Sequence, residues 1–308
     1  MLLVLKKIIL KVISTLIRHF LIGILFISIP RLVFAQSDSA TKHSGKPKIY
    51  LVGAVHSMHF NPGFHYSVND LLEQVIQLKP NVVCGEITPE AFEKDMEGYY
   101  PVEAAFLAEM ATKHKYSFIP ADWRIDASTQ ALAASIFPKD IENRQSDIDS
   151  SYLDGINKFN GASLYDFIHA PESVGLMDSL FEKVVGSNPV SEIAMGSWHE
   201  RNRRIVENSL KYLNDSSVVV FVFGAAHVPQ IKRQLEALGF HAEIPKRLFI
   251  PSDNLKISQQ VINRWKKNLS QLTRIRDQTI NNSYDNYQKV ISSNRIAELT
   301  KTLELVKQ

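Results

Sequence analysis

The chain predicts an α/β fold, a mostly parallel sheet flanked by helices, with a helical insertion and a helical C-terminal extension. Three observations predict it. From Lys48 onward, short β-branched runs alternate with segments of helical apolar spacing, which is the rhythm of βαβ units. The run from Val218 to Phe223 is apolar on both strand faces, as suits a central parallel strand covered on each side. Two runs end in nearly the same phrase, Gly53-Ala-Val-His56 and Gly224-Ala-Ala-His227, so a histidine follows the carboxyl end of each strand, where open α/β sheets collect their ligands.

In chain order, residues 1–35 read as a signal peptide. Lys6, Lys7, Lys11 and Arg18 precede an apolar run from Phe20 to Ile29, and Val33-Phe34-Ala35 supplies a small-residue cleavage pattern before Gln36. The alternative is an uncleaved membrane anchor, although the run is shorter than the roughly 20 apolar residues of a spanning helix. Residues 36–47 are polar and aperiodic, a linker. The α/β domain spans 48–250. Lys48 to Val52 is its first strand, and Val68 to Leu78 a helix stopped at Lys79-Pro80. Asn81 to Gly85 is the second strand, Val102 to His114 a helix, and Tyr116 to Pro120 the third strand.

Residues of about 128–191 break this rhythm. Their apolar positions fall at helical spacing in four segments, with Pro138, Pro171 and Pro189 as breaks, which predicts a helical insertion over one end of the sheet, a common origin of pocket walls. The α/β pattern resumes with a helix from Trp198 to about Leu213, the strand from Val218, a helix from Pro229 to Leu238 and a last strand over Phe240 to Ile244. Residues 251–308 are helical and locally basic, a pattern that fits a solvated face. No Gly-x-Gly-x-x-Gly occurs, so no dinucleotide fingerprint is present.

Charge and cysteine content narrow the function classes. The whole chain carries 35 Lys and Arg against 32 Asp and Glu, and the excess resides in the leader, whose five basic residues have no acidic counterpart. The remainder is slightly acidic and predicts no nucleic-acid partner. An export leader predicts a periplasmic or secreted protein, with membrane association only if the leader stays attached. Cys84 is the only cysteine, so an exported fold must rest on its core rather than on a disulfide, and its place within Val82-Val83-Cys84 predicts a small buried hydrophobe.

The other strand ends also carry chemistry. Glu86 follows the second strand and Asp122 the third, so on adjacent strands His56, Glu86, Asp122 and His227 would project from one sheet edge. Two imidazoles with a carboxylate make an open coordination set for zinc, manganese or iron, with positions left for water and substrate. His59 and His65, beside Pro62-Gly63, read as loop histidines, and Trp123 and Trp198 as packing residues.

Taken in order, Gly53 to His56, Gly85-Glu86, Glu200-Arg201-Asn202 and Val222 to Val228 resemble the TraB/PrgY family and the related Tiki proteins, over roughly Lys48 to Ile244. The resemblance implies an α/β core in which the two Gly-x-x-His histidines and the glutamate form a metal-dependent site. It further implies hydrolysis of a peptide or protein, since Tiki relatives are described as membrane-tethered metalloproteases. On that basis His56, Glu86 and His227 would hold a divalent manganese, cobalt or zinc ion, with Asp122 as a fourth ligand or an outer partner. Glu200 would take a proton from water and Arg201 would steady a developing oxyanion. Glu200 equally suits a helix start, where it would only complement the dipole. The alternative function is a non-catalytic pocket for haem, a peptide or another small ligand.

Overall fold

The computed structural model describes residues 46–94, 99–214, 217–278 and 283–306. The expected leader and its cleavage site lie outside the described residues. Among the described residues no helix is long and apolar enough to cross a membrane.

Strand β1 (Lys48–Ala54) leads through a short 3-10 turn, His56–Phe60, to helix α1 (Val68–Gln77), which a reciprocal pair of hydrogen bonds between Ser67 and Asp70 caps at its start. Strand β2 (Val82–Gly85) is followed by the short helix α2 (Pro89–Glu93), by α3 (Val102–His114) and by strand β3 (Ser117–Pro120). The insertion supplies α4 (Ala127–Ser135), α5 (Lys139–Asn157), α6 (Leu164–Ile168), α7 (Pro171–Ser179), a π turn over Leu180–Val184, and α8 (Pro189–Ala194). Helix α9 (Trp198–Ser209), strand β4 (Val218–Gly224), helix α10 (Val228–Ala237) and strand β5 (Ala242–Glu243) complete the α/β part. Helices α11 (Gln259–Gln278) and α12 (Ser283–Leu305) follow.

All five strands are parallel, in the order β3-β2-β4-β1-β5. The apolar run of β4 is therefore central, as its composition predicts. Its alternation sorts the core into two layers: Val219, Phe221 and Phe223 pack with Ile205, Ile231 and Leu235 of α9 and α10, while Val220 and Val222 face the α1 and α3 side. The last strand is shorter than predicted, two residues rather than five, because β5 pairs with β1 only through Ala242 and Glu243.

The C-terminal helices share the main core. Trp265 and Leu272 of α11 and Leu299 and Leu303 of α12 are buried with Val52, Leu71 and Phe106, and the Trp265 indole donates to the Val102 carbonyl at 3.1 Å. Cys84 is wholly buried, and burial pushes its thiol up to about 12, so it behaves as the small hydrophobe its neighbours predict.

Candidate functional site

The parallel order lines up four strand ends at one edge of the sheet. Across it, from β3 to β1, come Asp122, Glu86, His227 and His56, although 171 positions of sequence separate the two histidines. His56, Glu86 and His227 edge a cleft of about 360 Å³, walled by Tyr99, Tyr152, Phe181 and Trp198, with Arg124 and Glu298 also lining it; Asp122 lies behind it, bonded to Arg201. A larger open groove of about 900 Å³ lies beside α6 and α10, but it holds none of these strand-end carboxylates.

Gly53 and Gly224 do not supply the turn off their strands. Gly53 stays in β1, paired with Phe223, and the left-handed backbone occurs at His56 itself, with φ 52°. What the glycines provide is room. A Cβ on Gly224 would stand 2.9 Å from His56 Nε2 and 3.4 Å from a Glu86 oxygen, and one on Gly53 would stand 3.1 Å from His169 Nε2. A non-glycine residue at positive φ is strained unless its surroundings hold it. Here they do: His169 Nε2 accepts the Gly53 N–H at 2.8 Å, Tyr66 donates its hydroxyl to the Gly53 carbonyl at 2.9 Å, and His59 Nε2 accepts the Val55 N–H at 3.1 Å. His59 is thus a buried brace rather than a mobile loop histidine, its other nitrogen being bonded to the Tyr66 carbonyl.

His56 Nδ1 lies 2.7 Å from Glu103 Oε1. Burial opposes a charge on this imidazole, yet the contact with Glu103 and the nearby Glu86 outweigh it and raise its pKa to about 9. Glu103 sits in the first turn of α3, buried among Val102, Ala104 and Ala105, and its second oxygen is buried with no hydrogen-bond partner. Sequence reasoning passed over it, although a lone acid in the apolar stretch from Val102 to Leu107 is the kind of residue that needs a partner.

Glu86 is held on both oxygens, by Arg201 at 2.9 Å and by the Gly224 N–H at 2.8 Å. Burial works against its charge, but the His56 and Arg201 charges around it hold its pKa down at about 2. Asp122 receives a two-pronged pair from Arg201, at 2.8 and 2.9 Å, and a further bond from Arg124 at 3.0 Å. Its carboxylate is committed to guanidinium groups and fixes the arginine that fixes Glu86.

Helix α9 sorts its residues by face. Trp198, Arg201, Asn202 and Ile205 are buried, at the i, i+3, i+4 and i+7 spacing of one helical stripe. Glu200 falls outside that stripe. It bonds Arg203 at 2.6 Å and Arg204 at 2.8 Å and does not line the cleft. These arginine bonds hold its pKa near 2, which leaves a weak proton acceptor.

His227 is buried, stacked on Trp198 at 4.1 Å, with Nε2 4.0 Å from Glu86 Oε1. Burial, reinforced by the Arg201 charge, keeps it well below the usual imidazole range and hence neutral. Among the described residues the group with metal-ligating atoms all within 4.8 Å of one another is His56, Glu86 and Glu103. His227 reaches Glu86 without joining that group.

No family model, curated protein or solved structure matches the chain.

Proposed function

We propose that the cleft is the active site of a metal-dependent hydrolase acting on a peptide or protein, in line with the TraB/PrgY-like order of motifs. The observation that carries this reading is the convergence of ligand atoms of His56, Glu86 and Glu103 within 4.8 Å of one another, with His56 and Glu86 beside the space that Gly224 leaves open. Two features of the donor set fit a divalent cation. The unpartnered Glu103 oxygen is buried, and such an atom costs free energy until something satisfies it. Counting Glu86, Glu103 and Asp122 against Arg124 and Arg201 also leaves one excess negative charge with neutral imidazoles. Buried charge of that kind calls for a counterion.

His56, Glu86 and Glu103 would hold the cation. When bound, it would supply Lewis-acid activation of water and of a substrate carbonyl. The other groups are the chain's own. His227 holds a neutral imidazole beside Glu86, fit to accept a proton. Arg124 also bonds Asp122, at 3.0 Å, and reaches Glu86 at 3.5 Å, but its side chain is 34 % exposed where Arg201 is buried, so it is the guanidinium able to meet a developing negative charge. The aromatic walls suit the apolar side chains of a peptide.

A second reading rests on the same excess charge, because a proton on His56, with its pKa raised to about 9, balances it equally well. The site would then work by acid–base chemistry without a metal. The deciding experiment strips the purified protein with chelator, titrates manganese, cobalt and zinc by calorimetry, and assays a broad peptide panel with and without each ion. Metal binding with metal-dependent cleavage is the expected result. Cleavage that survives chelation supports the acid–base reading, and tight ligand binding with no cleavage under any condition overturns both.

A further inference from the structure

We infer that Asn202 is a positioning residue that sets the tautomer of His227, so that an unprotonated Nε2 faces the cleft. The inference starts from the orientation of one amide. Asn202 is fully buried, and its Nδ2 donates to the Trp198 carbonyl at 2.7 Å, one helical turn back on α9. That bond decides which end of the amide is which, because a carbonyl can only accept. The remaining end, Oδ1, lies 2.8 Å from His227 Nδ1 and can only accept as well. The proton between them therefore belongs to Nδ1. In a neutral imidazole the second nitrogen then carries the lone pair, and that nitrogen, Nε2, is the one 4.0 Å from Glu86 Oε1.

The same helix holds the ring plane. The Trp198 indole stacks on the His227 imidazole at 4.1 Å with 22° between planes, and Phe181, in the π turn, stacks on the far side of Trp198 at 3.7 Å. Ring rotation is thus blocked by stacking and ring protonation is set by the amide. Trp198 and Asn202, four residues apart, present these two restraints on one face of α9, with Arg201 beside them holding Glu86. This three-residue device explains why the helix start matters to the site although Glu200 does not reach it.

The inference rests on the hydrolytic reading only for its consequence, not for its test. A uniformly ¹⁵N-histidine-labelled protein, with the His227 signals assigned by their loss in His227→Gln, reports the tautomer directly through the ¹⁵N shifts of the two ring nitrogens. The wild type is expected to show Nδ1 protonated and Nε2 bare. Asn202→Asp, whose carboxylate accepts the same bond, is expected to keep Nδ1 protonated. Asn202→Leu, of similar size but without an acceptor, is expected to lose it to a mixture. It should also lower turnover by about 10- to 100-fold, as loss of an orienting partner does. If Asn202→Leu fails to fold, Asn202→Ala makes the same comparison. A wild-type spectrum with Nε2 protonated, or a leucine or alanine variant that folds and keeps the wild-type tautomer, overturns the inference. Absence of hydrolysis in every variant, with the tautomer pattern as expected, would count against the proposed function and leave the role of Asn202 standing.

Discussion

One oxygen of Glu103 lies 2.7 Å from His56 Nδ1, while the other is buried without a partner. A carboxylate bonded in this way orients the ring and raises its basicity, with Nε2 at the space above Gly224, while its second oxygen stays free to meet a cation. Glu103→Gln keeps the shape but removes the charge. The His56 pKa should then fall from about 9 to its ordinary 6.5 or lower, since burial would act with less to oppose it. Proton NMR titration of the His56 ring reads this directly, and an unchanged pKa would show that Glu103 does not control it.

The raised His56 pKa has a defined effect on stability. A group whose pKa rises on folding stabilises the fold fully below its unfolded value, and that contribution is lost as pH climbs through the folded one. For His56 the window runs from about 6.5 to about 9. The urea midpoint should decline across it in the wild type, and the decline should be shallower in His56→Gln. Divalent-cation affinity should rise over the same window, because the ion competes with the proton for the imidazole.

Arg201 is the cation that both buried carboxylates depend on. Arg201→Met leaves Glu86 and Asp122 with reduced compensation, and breaking a buried pair in this way costs about 3–5 kcal/mol. Glu200→Gln, one position away, touches only surface arginines and should stay within about 0.5 kcal/mol of the wild type and retain its activity. Chemical denaturation of the two variants makes the comparison. Loss of turnover in a stable Glu200→Gln would restore Glu200 to the catalytic role that its place in the sequence suggests.

Gly224→Ala tests the close approach. The added methyl would sit 2.9 Å from His56 Nε2, too near for either to stay, so the imidazole must move. Metal affinity should fall more than about tenfold while the far-ultraviolet circular dichroism is unchanged. Full metal binding in this variant would place the ion elsewhere.

Periodicity alone determined the α/β class, the central place of β4 and the helical insertion, because burial on one face or both leaves its mark at every second or every third to fourth residue. The two glycine–histidine phrases and Glu86 were legible for the same reason: strand ends can be read locally, and parallel strands send their ends to one edge. What the tertiary structure decided was partnership. Glu103 lies 47 residues from His56, and the Arg201 that claims Asp122 comes 79 residues later, so nothing local marks either pair. The faces of α9 were written in its spacing, but only the packed helix shows that Arg201 and Asn202 turn inward to the site while Glu200 turns to the surface arginines. Composition tells which groups must be satisfied when buried; the folded chain alone brings each one its partner.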